Sequence, residues 1–284
     1  MTKCVVQNDK MCIFAVMKLN KTQLLPDRPG IPPMAKMPEP ETLDVAALAD
    51  ACRQGAIDLV CVLGPTASGK TRYAVALAGK LGGEILSADS RQVYRGMDIG
   101  TGKDLREYGD VPYHLIDLVP AGSKYNIYQY QKDFAAAYAD VRSRGAVPIL
   151  CGGSGLYIEA VTRAYKFEKE NGLPAAQLPQ NVYYIGTLVS REERVARIDR
   201  RLEERLQEGL VEEIRVLLQT VPAPDLIYYG LEYKFVTQYV LGELSYEDMV
   251  VALGNAIHQF AKRQMTWFRG MERDGITIHW VRPA

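Results

Sequence analysis

Eight residues, Gly64-Pro65-Thr66-Ala67-Ser68-Gly69-Lys70-Thr71, have the types and spacing to hold a di- or triphosphate. Two glycines separated by four residues let successive backbone N–H groups turn toward one point and form an anion nest at a helix N-terminus. Lys70 adds a mobile positive charge, and the Thr71 hydroxyl can ligate a magnesium ion bridging phosphate oxygens. The neighbours suit the motif: an apolar run, Ile57 to Leu63, precedes it and a helix-forming run, Tyr73 to Ala78, follows. A phosphate loop states what is held, not what is done with it; kinases, ATPases, GTPases and group-transfer enzymes all use one.

Four further stretches carry candidate chemistry. Ser87-Ala88-Asp89-Ser90-Arg91-Gln92-Val93-Tyr94 follows a second strand. Loops beyond strand C-termini line the crevice of an open parallel sheet, so Asp89 and Ser90 are expected beside the phosphate loop. There a carboxylate can bind metal through water or take a proton from a nucleophile; a turn Asp is the plainer reading. Met97 to Lys103 extends that loop with Gly, Thr and Lys and can close over an anion. Cys151-Gly152-Gly153-Ser154-Gly155-Leu156-Tyr157 opens a helix after a strand, with glycines that permit close backbone approach and a hydroxyl at Ser154. Near the C-terminus Lys262, Thr266, Arg269 and Arg273 stand at three- and four-residue steps on one helix face. That face suits a nucleic-acid backbone or simply solvent. Trp267 reads as core packing, and the arginines from 191 to 205 alternate with glutamates and read mainly as a solvated ion-pair face. Asp117 is not followed by Glu, and no run of four apolar residues precedes an Asp-Glu pair, which weakens ATPase and motor readings.

These residues need a scaffold, and the pattern supplies one. Helices are expected at Leu43–Gln54, Lys70–Leu81, Ile127–Arg144 and Gly155–Tyr165, with strands at 57–63, Glu84–Ser87, Tyr113–Asp117, Val147–Leu150 and Val182–Val189. Alternation of this kind predicts an α/β fold of the phosphate-loop NTPase type, a parallel sheet with helices on both faces. After Val189 the chain turns almost wholly helical, with a capping box at Ser190–Glu193, an apolar stripe broken near Gly209, a long helix from Ser245 to Arg269 and a last strand at Ile276–Val281. The domains read as a proline-rich, disordered extension at 1–41, a core at 42–165, a short polar connector at 166–181, and a last core strand with a C-terminal helical lobe at 182–284.

At 284 residues with 48% hydrophobic and 24% charged residues, the chain has ordinary globular composition. Its formal net charge of zero excludes a general polycation, so any nucleic-acid contact must be a local patch. Five cysteines lack metal-ligand spacing and read as reduced thiols. Neither a membrane span nor a signal peptide is expected, and a cytoplasmic location follows from these readings.

Five motifs in register, GPTASGKT (64–71), SADSRQVYRGMDIGTGK (87–103), YHLID (113–117), VPILCGGSGLYIEA (147–160) and FAKRQMTWFR (260–269), make the sequence resemble the tRNA dimethylallyltransferases and the related cytokinin-forming isopentenyltransferases. The resemblance covers most of residues 57–165 and 182–281. It implies that Gly64 to Thr71 hold the diphosphate of dimethylallyl diphosphate, with magnesium on Thr71 as the cofactor. It further implies prenyl transfer to the exocyclic N6 of an adenosine beside the anticodon of tRNA, with Asp89, Lys70 and Thr71 catalytic. Asp89 then matches the base, Ser154 matches a Thr that positions the adenine, and Asp89, Ser90, Arg91, Gln92, Ser154, Lys262 and Arg263 make the tRNA and adenine side. The partners implied are the anticodon stem-loop and the prenyl donor, with no membrane.

Two departures mark this chain. The family's long helical insertion is reduced to residues 166–180, and with it goes a diphosphate-contacting Arg, for which Arg191 and Arg194 are the nearest candidates. The family's Gly-Tyr-Lys/Arg motif is altered to Tyr229-Gly230-Leu231-Glu232-Tyr233-Lys234. Three alternatives therefore stand beside tRNA prenylation: prenyl transfer to free adenine nucleotide, a small-molecule kinase, and a degenerate RNA-binding relative. Intact Lys70, Thr71 and Asp89 argue against the last.

Overall fold

In a computed structural model of the protein, residues 38–163 and 178–283 are described, and those from Pro40 onward form one unit. Residues 1–37 of the extension, and residues 164–177, which hold the end of the expected helix Gly155–Tyr165 and most of the connector at 166–181, lie outside the described residues. Helix α1 (Val45–Arg53) leads to β1 (Leu59–Leu63), α2 (Lys70–Leu81) and β2 (Gly83–Ser87). Two short strands, β3 (Tyr94–Arg95) and β5 (Val119–Pro120), pair with each other and flank β4 (Tyr113–His114) in the chain. Then come α3 (Ile127–Ser143), β6 (Val147–Gly152), α4 (Gly155–Thr162) and β7 (Val182–Thr187). Helices α5 (Arg191–Glu208), α6 (Leu210–Leu217), α7 (Ala223–Tyr229), α8 (Leu231–Val240) and α9 (Tyr246–Arg273) precede β8 (Ile278–Val281).

The main sheet runs β4-β2-β6-β1-β7-β8, and every pairing in it is parallel. β1 lies at its centre, between β6 and β7, with Cys61 opposite both Leu150 and Tyr184. All five β1 residues are buried. Leu59, Cys61 and Leu63 enter a core shared with α3, α4 and the C-terminal helices, while Val60 and Val62 enter the core beneath α1 and α2. Burial on both faces explains the continuous apolar run in place of a period of two. The phosphate loop leaves the C-terminal end of this central strand, where the sheet order reverses.

Most expected elements hold within a few residues. The expected strand at Tyr113–Asp117 stops at His114, because Leu115 and Asp117 adopt left-handed backbone with φ of 66° and 57°. Asp117 is turned to pair with the buried Lys103, whose ammonium also reaches the Tyr94 carbonyl (2.5 Å) and the Asp98 carboxylate (3.0 Å). The expected capping box at Ser190 forms by half: the Ser190 hydroxyl accepts from Glu193 N–H, but the Glu193 carboxylate pairs with Arg197 instead. A complete capping box stands at the start of α3, between Asn126 and Gln129. The apolar stripe does break at Gly209, whose φ of 104° ends α5 and starts α6. Part of the segment read as a disordered extension is tied down, since Glu41 N–H donates to the Trp280 carbonyl of β8 (2.7 Å).

The 97–103 loop does close over an anion, and the anion is the chain's own. The Glu213 carboxylate of α6 accepts from the N–H groups of Asp98 (2.9 Å), Ile99 (2.6 Å) and Gly100 (3.1 Å) and from the Tyr233 hydroxyl (2.7 Å). A Cβ at Gly100 would sit 2.7 Å from the ring of Tyr233, which is fully buried. Gly100→Ala should therefore lower stability by about 1–3 kcal/mol through overpacking, measured as a reduced midpoint of urea unfolding; an unchanged midpoint would mean the loop is free to move away.

Candidate functional site

One cavity collects residues from five parts of the chain: Thr66, Lys70 and Thr71 of the phosphate loop and α2; Asp89, Arg91 and Gln92; Thr101 and Gly102; Cys151 and Gly152; and Arg201, Arg205, Glu232, Phe260 and Gln264 from the C-terminal helices. The sequence expectation that Asp89 stands beside the phosphate loop is met in this cavity.

The phosphate loop owes its shape to two unusual backbone positions, Ala67 (φ 60°) and Gly69 (φ 81°). Not all of its groups face an anion. Thr66 N–H donates to the Gln264 side chain (2.8 Å), and Ser68 N–H to the Pro65 carbonyl (3.3 Å). The Ser68 side chain is fully buried and bonds the Thr187 hydroxyl (2.6 Å), away from the cavity. The N–H groups of Gly69, Lys70 and Thr71 remain at the start of α2, where a helix leaves its first donors without partners. These are the donors available to a phosphate.

Side-chain charge adds to this. Among the described residues neither Lys70 nor Arg201 has a hydrogen-bonded protein acceptor, and both line the cavity. Burial holds the Lys70 pKa below that of an ordinary lysine; Cys151 and Asp89 oppose the shift, and Arg201 and Arg205 reinforce it. Burial and the neighbouring Arg201 likewise push Arg205 down to about 10, although it pairs with Glu232 (3.1 Å) and donates to the Gly100 carbonyl (3.3 Å). Glu232 is buried and also binds Arg91 (2.8 Å). Burial works against the Arg91 charge, but Glu232 and Asp89 more than offset it and hold the pKa above the usual value. Four cations thus meet two carboxylates, Asp89 and Glu232, in a part-buried space. That excess disfavours the empty site and favours a multivalent anion.

Asp89 uses one carboxylate oxygen to accept from Arg91 N–H (3.0 Å). No other bond to it is made among the described residues, which leaves its second oxygen for a proton. Ser90 and Ser154 hold each other: Ser90 N–H donates to the Ser154 hydroxyl (3.0 Å), which lies 3.2 Å from the Ser90 hydroxyl. Ser154 therefore positions the Asp89 loop and does not line the cavity. Arg91 lies over the Phe260 ring at 5.4 Å and Arg263 over the same ring at 5.9 Å. Lys262 and Arg263 are exposed, outside the cavity. Arg269 is paired with Glu272, and Trp267 packs on Gly155 with its indole N–H buried and without a partner among the described residues.

The expectation for the arginine-rich helix needs correction. Arg191 and Arg194 do not line the cavity; Arg201 and Arg205 do. They flank the buried Leu202 of α5, and the stripe Ile198–Leu202 packs inward, which carries the arginines beside it to the site. Gln264 was missed altogether. Its signal is a polar residue on the apolar stripe of α9, between Ala261 and Phe268.

The donor set fits magnesium. No group of three or more His, Cys, Asp or Glu side chains placed to hold a metal ion occurs among the described residues. Magnesium, however, commonly keeps its waters and takes one or two protein oxygens plus substrate phosphates. Among the described residues the Thr71 hydroxyl has no protein acceptor, and Asp89 stands in the same cavity.

Comparison with known proteins narrows the chemistry. The model of a family described as IPP transferase matches residues 92–177 and 167–271, and that of Isopentenyl transferase matches 57–108. A tRNA dimethylallyltransferase of Parabacteroides distasonis is 48% identical, covering 79% of this chain and 92% of its own. One from Porphyromonas gingivalis is 46% identical, covering 78% and 93%. The first alignment extends over 282 positions, more than 79% of 284 residues can fill, so that relative carries a segment with no counterpart here. Among solved structures, the tRNA isopentenylpyrophosphate transferase of Bacillus halodurans superposes with a TM-score of 0.70 at 28% identity, covering 79% of this chain and 89% of that one.

Proposed function

The chain belongs to the IPP transferase family, and from that premise we propose that the cavity transfers the dimethylallyl group of dimethylallyl diphosphate to tRNA and releases diphosphate. The protein is a tRNA dimethylallyltransferase-type prenyltransferase on a phosphate-loop α/β fold, and the family it belongs to decides against the kinase reading. The observation that carries the assignment is a cation-rich cradle, Lys70 and Arg201, without hydrogen-bonded acceptors among the described residues, in one cavity with a half-free carboxylate, Asp89.

The acceptor in this reading is the exocyclic N6 of an adenosine beside the anticodon, in the anticodon stem-loop. N6 attacks C1 of the dimethylallyl group. The C1–O bond breaks and its electron pair leaves with the diphosphate. The helix N–H groups, Lys70 and Arg201 meet the charge that grows there. Asp89 takes the proton that N6 loses. Thr71 would hold magnesium, which supplies further charge neutralisation on the leaving group. The adenosine must leave its stack to reach Asp89, and the exposed Lys262 and Arg263 beside Phe260 suit the phosphates and bases around it. No helix among the described residues is long and apolar enough to cross a membrane. A cytoplasmic location is part of this proposal and rests on tRNA as the acceptor.

The test uses labelled dimethylallyl diphosphate with magnesium and three acceptors in parallel: unmodified tRNA, AMP and ATP. Label on tRNA at the adenosine next to the anticodon is the expected result. Label on a nucleotide alone would overturn the tRNA assignment and move the protein to nucleotide prenylation.

A further inference from the structure

The phosphate cradle and the proposed base lie on different loops, 18 or more residues apart, that leave β1 and β2 on either side of β6. Beyond the sheet, three hydrogen bonds tie the two loops to each other. Gln264 spends both ends of its amide: its oxygen accepts from Thr66 N–H of the phosphate loop (2.8 Å) and its nitrogen donates to the Gly153 carbonyl (3.0 Å). The residue after Gly153 is Ser154, whose hydroxyl accepts from Ser90 N–H (3.0 Å), and the residue before Ser90 is Asp89. The two loops are zipped further, with Ala88 N–H donating to the Cys151 carbonyl (2.8 Å) and Ser154 N–H to the Ala88 carbonyl (3.2 Å). Gln264 is buried, yet it lines the cavity. A side chain at position 153 would collide with the Gln264 amide, so Gly153 is what permits the contact.

We propose that Gln264 is a positioning residue that sets the distance between the leaving diphosphate and the base at Asp89. This rests on the prenyl-transfer reading of the site. A side chain whose donor and acceptor are both used leaves no slack, and the glutamine amide is suited to a site that must accept from one backbone and donate to another. Displacement of about 1 Å between reacting groups can cost about 100-fold in rate. Mispositioning has a second consequence. A prenyl diphosphate that ionises with N6 out of line is captured by water, giving the dimethylallyl alcohol and diphosphate in place of prenylated tRNA.

The experiment compares the wild-type chain with Gln264→Met, which keeps the shape and loses both bonds, with Ser154→Ala, and with the double variant. The expected result for Gln264→Met is a kcat reduced by about 100-fold, a KM for dimethylallyl diphosphate little changed, and a raised ratio of alcohol to prenylated tRNA. Ser154→Ala acts on the same chain of contacts, so the double variant should lose less than the product of the two single losses. Gln264→Glu keeps the acceptor for Thr66 N–H and should recover part of kcat while raising the donor KM through its charge. Thermal melting of each variant accompanies the kinetics. A kcat for Gln264→Met within a few-fold of wild type, an unchanged alcohol ratio, or fully multiplicative losses would overturn the proposal. An inactive wild-type chain would instead count against the prenyl-transfer reading itself.

Discussion

Asp89→Ala is expected to lower prenyl transfer to tRNA by about 10²–10⁴-fold, the range of a lost general base, without weakening the binding of inorganic diphosphate. The two effects separate because of where the carboxylate stands. Asp89 is one of two negative groups among four cations in the cavity, and it donates nothing to a phosphate. Its removal takes away a repulsion toward the leaving group. It also removes a charge that opposes the lowering of the Lys70 pKa. Asp89→Asn refines the test. The amide oxygen can still accept from Arg91 N–H, so the loop keeps its shape, yet the side chain cannot take a proton. Both variants should lose turnover and both should keep diphosphate in isothermal calorimetry. Transfer at the wild-type rate by Asp89→Ala would remove it from the role of base.

Lys70→Ala should strike binding and turnover together. Hydrogen bonds to charged groups are worth about 1.5–3 kcal/mol, which predicts roughly 10- to 150-fold weaker binding of inorganic diphosphate. The loss in kcat/KM should be larger, because charge on the diphosphate grows as the C1–O bond breaks and Lys70 is there to meet it. Stability should respond in the other direction. Lys70 has no hydrogen-bonded protein acceptor among the described residues, and burial already disfavours its charge. Removing such a group costs the folded protein little and can stabilise it. Unfolding midpoints without ligand should stay level or rise, and the rise that diphosphate gives the wild type should shrink. A Lys70→Ala protein that binds diphosphate normally would mean that the helix N–H groups and Arg201 suffice.

The parts of the site that were legible in the sequence are those where backbone geometry dictates residue type. Gly69 and Lys70 had to be what they are for a left-handed turn to open a helix onto an anion. Asp89 followed from its place just past the end of β2, since a parallel sheet gathers such loops at one edge. What stayed hidden depends on helix rotation. Arg191 and Arg201 stand ten positions apart on α5, and a string of alternating Arg and Glu does not reveal which arginines turn inward. That is decided by Ile198 and Leu202 docking against the core. Gln264 was hidden by distance as well, since its partner Thr66 lies 198 residues away. The short strand β4 was over-read for a local reason: the run 113–117, with Leu115 and Ile116 in it, looks extended until the left-handed turns at Leu115 and Asp117 are known.

Glu213 carries one more implication. Its carboxylate fills the turn at Asp98, Ile99 and Gly100, a set of converging N–H groups that would otherwise invite a free phosphate. A tethered ligand is present at an effective concentration set by the fold and not by the solution. Millimolar phosphate in the surroundings therefore competes poorly for that turn, while the cradle at Gly69 to Thr71 stays open to it. Of these two turns, the chain has stoppered one with its own carboxylate and left the other to a free anion.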